Sequence, residues 1–394
     1  MSTPTFEYRK KEIPAKIQSI GIALLLIGLI IVICGYIVSP ARMAFNNIIG
    51  FTFIISVVVG ALFFVAIEYL AGAVWSAPFR RAAEFLTYGI YLLPLLVIPL
   101  FMNVHDVFHW THPEVVNADK VLKAKAPYLN INFFVIRVIA FMAVWMLFQF
   151  IITRNSLKQD ESKNQNLTTK NIKLSAVFVP FFALTISFTG IDWLMSLEPH
   201  WFSTIFGIYY FSGTMLASLA AITVCVVYLN ENGYLVKGLN EDHYYSLGAL
   251  MFAFTNFWAY IAFSQFLLIW YANLPEETFW FLQRWEGSWM IYSIGLIFVH
   301  FVVPYFGLLT QPSKMDPKRL KLMAIWILFA HYYDLYFLVM PTYSRSGVAF
   351  SWFELGFPAL LVGLLMVLFY QISKRQNLVA IGDPKLKRGI EFRL

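Results

Sequence analysis

Ionisable side chains inside long apolar stretches are the residues of this sequence that could carry out chemistry. Charged groups are costly at membrane depth and usually mark ion or proton paths. A carboxylate or an imidazole at that depth can accept and release a proton that crosses the apolar layer. We therefore predict a proton path, and its candidate residues are Glu68, Arg137, Asp192, His300, His331 and Asp334.

Two of these candidates are close together in the sequence. His331 and Asp334 are three residues apart, so a helix places them on one face. A carboxylate beside an imidazole fixes the tautomer of the ring, as a proton relay requires. The structural alternative is a buried polar pair that locks helix packing through hydrogen bonds to neighbouring helices.

The two histidines have similar predicted depths. His300 and His331 each lie about 14 Å from the same end of their apolar stretches, at about 1.5 Å per helical residue. On neighbouring helices they could therefore also be the axial ligands of one b-type haem. The large neighbours Phe329 and Tyr332 disfavour this alternative, because haem-binding bundles usually have small residues beside the macrocycle.

Metal ions and covalently bound cofactors are not predicted. Cys34 and Cys225 lie far apart and belong to no CxxC or CxxCH motif, which excludes disulfides, covalent haem and cysteine-bound clusters. A metal is conceivable at His105, His109 and His112, which are spaced four and three residues apart. A solvent-facing polar turn is the simpler interpretation, and we expect neither a metal site nor a catalytic residue in this chain.

The composition predicts the elements that hold these residues. Of the 394 residues, 59% are hydrophobic and 13% are charged, whereas soluble domains carry roughly 25% charged residues. This excludes a soluble globular enzyme. Helices of about 20 apolar residues cross a bilayer. The predicted spans are 17–38, 47–73, 82–103, 130–152, 174–193, 202–229, 245–274, 287–309, 322–340 and 353–372.

The prediction is thus an all-α polytopic membrane protein with ten transmembrane helices. It comprises an N-terminal segment 1–16, one membrane domain 17–373 and a tail 374–394. An even number of spans puts both termini on one side, and most of the 29 Lys and Arg residues fall on that side. Because inside loops carry the excess positive charge, we predict cytoplasmic termini. This topology explains the net charge of +7 without nucleic acid.

Residues near the membrane boundaries have predicted structural roles. Glu84 follows Arg80 and Arg81 at helical spacing, which predicts an interfacial ion pair. Acidic residues around two tryptophans in 275–287 predict a surface helix that a partner covers. Tryptophans near the ends of spans are expected to be interfacial anchors. They are Trp75, Trp201, Trp280, Trp285, Trp289 and Trp352.

Three stretches resemble a known family. They are IDWLMSLEPHWFSTIFG at 191–207, FAFTNFWAYIAFSQFLLIWYANLPEE at 252–277 and GAVWSAPFRRAAEF at 72–85. They resemble the large membrane subunits of alternative complex III, a bacterial quinol:cytochrome c oxidoreductase. Those subunits belong to the NrfD/PsrC superfamily, and the resemblance extends over essentially the whole chain.

The resemblance implies two four-helix bundles, at about 47–193 and about 202–340, flanked by the first and tenth spans. It also implies a location in the bacterial inner membrane. The redox centres of such a complex belong to other subunits. The implied partners are therefore an ActC-like homologous membrane subunit, iron–sulfur and cytochrome c subunits, a terminal oxidase and lipids. This chain would then scaffold its partners and provide a proton path or a secondary quinone site.

Menaquinone or its quinol is the ligand that the resemblance implies. In the ActC-like sister, quinol is oxidised near the outer face of the first bundle, at residues that include the aspartate of the fifth span. Asp192 matches that aspartate, while the histidine that precedes it in the sister has no counterpart in 184–191. The implied quinone-binding candidates are Asp192, Arg137, His105 and Asp106.

A secondary transporter is the alternative from a different class. Ten helices with central charges also suit alternating access. Such transporters use paired Gly- or Pro-broken helices in corresponding halves, and the sequence shows no such pair. A transporter would also purify without haem-bearing partners, so purification distinguishes the two functions.

Overall fold

Helices form most of the protein, because a chain in hydrocarbon must satisfy its backbone hydrogen bonds internally. The computed structural model describes residues 10–394, and within this range it has no strand. Ten helical segments of this range are long and apolar enough to cross a membrane. This confirms the predicted all-α class and the ten spans. We name them α1 to α10 in chain order: Ala15–Val38, Pro40–Leu70, Arg80–Met102, Ile131–Ser162, Asn166–Leu197, Phe206–Glu231, Glu241–Ala272, Gly287–Leu308, Pro317–Tyr343 and Trp352–Arg375.

Several helices extend beyond the predicted spans. α2 begins at Pro40 and α4 continues to Ser162, whereas the predicted spans begin at 47 and end at 152. Polar residues end an apolar stretch of the sequence, but they do not end the helix. These two helices therefore continue beyond their apolar segments. Of the predicted N-terminal segment 1–16, residues 1–9 lie outside the described part of the chain.

α3 is an irregular span. An α-helix covers Arg80–Thr87, a 3₁₀ helix follows at Tyr88–Leu92, and two short turns continue to Met102. Pro94 and Pro99 begin these turns. Because proline lacks a backbone N–H and clashes with the preceding turn, this span cannot be one continuous α-helix.

α2 and α6 form the centre of the molecule. α2 packs against α3, α5, α6 and α9, while α6 packs against α5, α7 and α9. The central pair approaches closely, since a Cβ atom on Gly60 would lie 2.7 Å from Ser218 Cβ. α1 and α10 pack against each other and against α2. The division into two four-helix bundles stays a prediction of the resemblance.

The two faces of the molecule carry different connections. On one face, which we call the terminal face, Lys10 Nζ donates to the carbonyl oxygen of Lys374 at 2.7 Å. The tail after α10 also lies there, and Asn240 Nδ2 donates to the carbonyl oxygen of Phe392 at 3.1 Å. The opposite face carries the α3–α4 connection and the short helix Pro275–Gln283. That short helix confirms the predicted helical segment between α7 and α8.

Glycines spaced seven residues apart join α1 to α10. A Cβ atom on Gly28 would overlap the backbone nitrogen of Leu360, and one on Gly363 would overlap that of Leu25. Gly21, one heptad before Gly28, also faces α10. Small residues let two membrane helices approach until their backbones touch. This contact therefore depends on the absence of side chains at the crossing.

We predict that Gly28→Val destabilises the protein by about 1–3 kcal/mol, because overpacking a tight contact costs about that much. The measurement is thermal unfolding of the detergent-solubilised chain, followed by tryptophan fluorescence. Ile27→Val is the matched control, since Ile27 is 53% exposed and faces lipid. An unfolding temperature unchanged by Gly28→Val would contradict the close crossing of α1 and α10.

Candidate functional site

A buried cluster of two histidines and one aspartate lies between α8 and α9. His300 of α8 and His331 and Asp334 of α9 place two ring nitrogens and a carboxylate oxygen within 4.8 Å of one another. The three side chains are at most 2% exposed. The similar depths predicted for the two histidines thus correspond to a direct juxtaposition in the structure.

An irregular turn of α8 positions His300. Residues Ile297–Val302 form a π-helix, in which the hydrogen bonds span one residue more than in an α-helix. Trp258 of α7 stacks on the imidazole, with ring centroids 3.7 Å apart and planes inclined by 24°. Single π turns inside α-helices are rare and occur frequently at functional sites. This turn therefore marks the cluster as a candidate site.

Asp334 accepts hydrogen bonds from two other helices. The hydroxyl group of Tyr209 on α6 donates to Oδ1, and Trp258 Nε1 on α7 donates to Oδ2 at 3.1 Å. These donors occupy both carboxylate oxygens. The His331 imidazole makes no hydrogen bond to Asp334 among residues 10–394. The shared helix face brings the two groups near each other, but Tyr209 and Trp258 satisfy the carboxylate.

The ring nitrogens of both histidines are buried without a hydrogen-bond partner among the described residues. The His331 ring packs directly against Gly213 of α6. A Cβ atom at that position would lie 2.8 Å from His331 Cε1 and would clash with the ring. Phe53 also packs near it, with ring centroids 5.8 Å apart. Since most buried polar groups are paired, two imidazoles without partners are unusual at this position and mark the cluster as a candidate site.

The same donor set also invites comparison with metal centres. Two imidazoles and one carboxylate are ligands in several kinds of transition-metal site. In this cluster both oxygens of Asp334 already accept hydrogen bonds from protein donors. Carboxylates that ligate metals are usually hydrogen-bonded as well, so this donor set also fits a metal ion, which was not predicted at this place from the sequence.

Arg137 and Asp192 form a buried ion pair between α4 and α5, near the opposite face. Arg137 Nε and Nη2 donate to the two carboxylate oxygens at 2.8 and 2.9 Å. Tyr128 Oη donates to the same carboxylate at 2.8 Å, and its carbonyl oxygen accepts from Arg137 Nη1 at 3.0 Å. The arginine and the aspartate thus bind each other, and both also bind Tyr128. These hydrogen bonds join α4 and α5 to the connection that precedes α4.

The quinone-binding candidates fall into two pairs that are not bonded to each other. Arg137 and Asp192 satisfy each other, whereas His105 and Asp106 are exposed on the short helix Val104–Val107. His105 Nδ1 lies 3.0 Å from the hydroxyl oxygen of Thr111. No hydrogen bond or ion pair within residues 10–394 joins these two pairs of candidates.

A cavity of about 410 Å³ lies beside the Arg137–Asp192 pair. Among its lining residues, Lys125 donates to the carbonyl oxygen of Pro199 and Ser196 donates to that of Asp192, at 2.6 Å each. The ammonium group of Lys125 has three N–H donors, and this contact uses one of them. Quinone binding beside this pair stays a prediction of the resemblance.

The three histidines of the α3–α4 connection do not converge on one point. His112 Nε2 lies 2.9 Å from the carbonyl oxygen of His105, while His105 contacts Thr111. His109 is exposed in the 3₁₀ turn that follows. Their ring nitrogens form no three-residue ligand group in the described chain. The local geometry is that of a hydrogen-bonded polar turn.

A network of buried charges lies at the terminal face. Arg81 pairs with Glu84 at 2.9 Å and with Asp160 at 3.0 Å, and Arg80 pairs with Glu84 at 3.3 Å and also with Asp383 of the tail. The predicted pairing of Glu84 is confirmed, but the prediction of an interfacial position is wrong. Both arginines and Glu84 are enclosed, because α4 and the tail cover them.

Asp383 fixes the tail to this network. Burial raises the pKa of its carboxyl group, but the charge of Arg80 and the backbone N–H of Lys385 outweigh burial and hold that pKa below its usual range. Asp383 is therefore ionised at neutral pH. Gly382 N–H also donates to Asp160 at 3.0 Å, so two adjacent tail residues bind the ends of α3 and α4.

Glu68 belongs to the terminal face and not to the histidine cluster. It is buried near the end of α2, where the charges of Arg80 and Lys385 act on it. The candidates for a proton path thus lie in three places. These are the terminal-face network, the Arg137–Asp192 pair and the cluster between α8 and α9.

Arg284 is a further buried cation, in the connection before α8. It is 1% exposed, and its guanidinium carbon lies 3.4 Å from the centre of the Trp280 ring. It donates to the carbonyl oxygens of Trp280, Phe337 and Leu338, at 3.0, 3.2 and 3.0 Å. Burial lowers its pKa to about 9, so it remains a cation at neutral pH. In the sequence Arg284 looks like an ordinary loop residue, and it was not among the predicted site residues.

Three tryptophans near Arg284 are packed inside the protein. Trp201 stacks on Trp280 with ring centroids 4.6 Å apart, and Trp289 Nε1 donates to the carbonyl oxygen of Ser344 at 2.8 Å. All three are at most 4% exposed. Their interpretation as interfacial anchors is therefore wrong. Trp352, which is 78% exposed, retains that interpretation.

Comparisons with known proteins do not identify a family. No protein-family model matches the chain, and no curated protein matches it at a significant level. The resemblance to the alternative complex III subunits therefore rests on the stretches quoted above.

Two single substitutions and their combination test the structural role of the Arg137–Asp192 pair. Removing one partner of a buried ion pair costs about 3–5 kcal/mol, because the other charge stays buried alone. We expect Arg137→Met and Asp192→Leu each to lower the free energy of unfolding by about this amount, and the double substitution to recover part of the loss. Denaturant unfolding in detergent measures the three effects. A double variant as unstable as the sum of the singles would contradict this role.

Proposed function

We propose that this chain is an integral membrane subunit of a respiratory quinol:cytochrome c oxidoreductase of the alternative complex III type, corresponding to its ActF subunit. It scaffolds partner subunits and contributes part of a proton path. Ten membrane-spanning helices are consistent with this role, and the quoted stretches carry the resemblance. The proposal places the protein in the bacterial inner membrane, with the terminal face in the cytoplasm.

The buried cluster between α8 and α9 is the observation that supports a proton path. Asp334 is held by Tyr209 and Trp258, and the free nitrogens of His300 and His331 lie beside it. Carboxyl groups and imidazoles exchange protons in other proteins. Their position in the middle of α8 and α9 suits a relay, since ionisable groups at this depth usually lie on transport paths.

The redox centres of the proposed complex belong to its partners. Candidate partners are an ActC-like membrane subunit, iron–sulfur and cytochrome c subunits and a terminal oxidase. Quinol oxidation is assigned to the ActC-like subunit, because the histidine that precedes the matching aspartate in that subunit has no counterpart in 184–191 of this chain. The single chain is therefore expected to lack quinol oxidation activity of its own.

Substitution of the cluster tests the relay. We expect Asp334→Asn and His331→Gln to lower proton release coupled to quinol:cytochrome c turnover by about a hundredfold, the lower end of the effect of removing a group that transfers a proton. Both quantities are measured on the purified complex in vesicles. Glu161→Gln is the control, because Glu161 is an exposed carboxylate at the end of α4.

Haem content and subunit composition of each preparation show whether the complex has assembled. Fully assembled complexes with wild-type turnover and wild-type proton release in both variants would refute the relay. Purification of the chain without stoichiometric haem-bearing partners would instead favour the secondary transporter. A Soret band in the isolated chain would favour a haem b subunit.

Cysteine labelling tests the proposed topology. In a variant with Cys34→Ser and Cys225→Ser, we introduce either Lys163→Cys on the terminal face or Glu276→Cys on the opposite face. A membrane-impermeant thiol reagent should label Glu276→Cys in intact spheroplasts, because this position is expected to face the periplasm. Lys163→Cys should react only after permeabilisation. The reverse pattern would overturn the cytoplasmic assignment of the termini.

A further inference from the structure

A long cleft runs along α7 and α8 on the lipid-facing side of the protein. Its volume is about 620 Å³, which lies within the range of ligand pockets. Aromatic and aliphatic side chains form most of its wall, among them Phe263, Phe266, Ile297 and Phe301. Phe263 and Ile297 are more than half exposed, so the cleft opens toward the hydrocarbon of the membrane.

The cleft extends across one leaflet. Its lining includes Arg284 and Trp285, just before the first residue of α8, and Phe301 within α8. Phe301 lies about 21 Å along the helix from Gly287, at about 1.5 Å per residue. The hydrocarbon core of one leaflet is about half of 30 Å thick. The cleft therefore runs from the boundary of the membrane at the opposite face to a depth beyond its middle.

Arg284 supplies a charge at the outer end of this cleft. Its partners are three backbone carbonyl oxygens, and no carboxylate of the described residues lies within 4 Å of it. The carboxylate whose charge acts on Arg284 is that of Glu198. Glu198 forms its ion pair with Arg345. A guanidinium group has five N–H donors, so two remain after the three carbonyl contacts.

We propose that the cleft binds one anionic phospholipid of the leaflet at the opposite face. Its phosphate lies against Arg284, and one acyl chain follows α7 and α8 toward Phe301. A guanidinium group binds phosphate oxygens through paired N–H donors. The apolar wall matches the chain of a lipid, and the cleft is long enough to hold an acyl chain of one leaflet. The site is independent of the respiratory function, because it requires only that the protein spans a bilayer.

Charge complementarity favours an anionic lipid over the other molecules that fit an apolar cleft. A buried cation without a paired anion is unfavourable, and an anion next to it removes that penalty. An isoprenoid quinone is neutral and provides no such compensation. A transmembrane helix of a partner subunit would fill the apolar groove but would leave Arg284 without an anion.

Native mass spectrometry of the full-length chain tests the proposal. The delipidated protein is titrated separately with phosphatidylglycerol, phosphatidylcholine and an isoprenoid quinone of matched chain length. We expect one phosphatidylglycerol molecule to bind with the highest affinity. Arg284→Gln should weaken it about tenfold, as loss of a hydrogen bond to a charged group does. Arg345→Gln is the control, because Arg345 is an exposed arginine on the same face.

A second variant examines the apolar wall without changing charge. Ala262 lines the cleft, and Ala262→Phe should block the acyl chain and lower phosphatidylglycerol binding in a protein that retains Arg284. Ala140→Phe is the matched control, because Ala140 is exposed on α4 outside the cleft. Equal binding of the two phospholipids or tighter binding of the quinone would overturn the proposal. Unchanged phosphatidylglycerol binding in either cleft variant would also overturn it.

Discussion

The structure depends on one constraint, which is that hydrocarbon offers no partner to a polar group. A charge or an N–H group within the bilayer must therefore be satisfied by the protein itself. The Arg137–Asp192 pair obeys this constraint between α4 and α5, and Arg80 obeys it through Asp383, more than 300 residues further along the chain. Such pairs specify which helices lie side by side, because any other arrangement would leave a charge buried alone. One apolar side chain can often replace another in this chain. The few buried charges therefore largely determine which helices pack together.

The same constraint distinguishes buried polar residues that stabilise the fold from buried polar residues that have no hydrogen-bond partner. Asp192 has its carboxylate engaged by Arg137 and Tyr128, so its ionisation is tied to the stability of that region. The imidazoles of His300 and His331 are equally buried, yet their nitrogens lack partners within the described chain. A π turn in α8 and a glycine in α6 keep these rings in place. Structural irregularity maintained around unsatisfied polar groups is typical of a functional site.

Composition and periodicity predicted the ten spans because transfer into hydrocarbon depends on local apolar content. They also predicted the matching depths of His300 and His331, since depth depends only on distance along a helix. The partners of Asp334 could not be predicted, because Tyr209 and Trp258 come from other helices whose rotation is a tertiary property. Arg284 was missed for a related reason, since only the packing of a short helix against α9 encloses it. The π turn gives no signal in the sequence, as Ile297–Val302 has the composition of any apolar helix.

The position of Arg284 connects the proposed relay to the proposed lipid site. Its charge acts on Tyr209, whose hydroxyl group binds Asp334, and it lies between this cluster and the opposite face. A fixed cation opposes the passage of protons, as arginines do in selective pores. Proton exchange between the cluster and the opposite face would therefore be hindered while Arg284 lacks an anion. A bound phosphate would cancel part of this field, so lipid occupancy would alter proton access from that face. The cleft is also lined by Tyr209 and Trp258, which bind Asp334. The electrostatics thus favours proton exchange of the cluster from the terminal face when the cleft holds no anion.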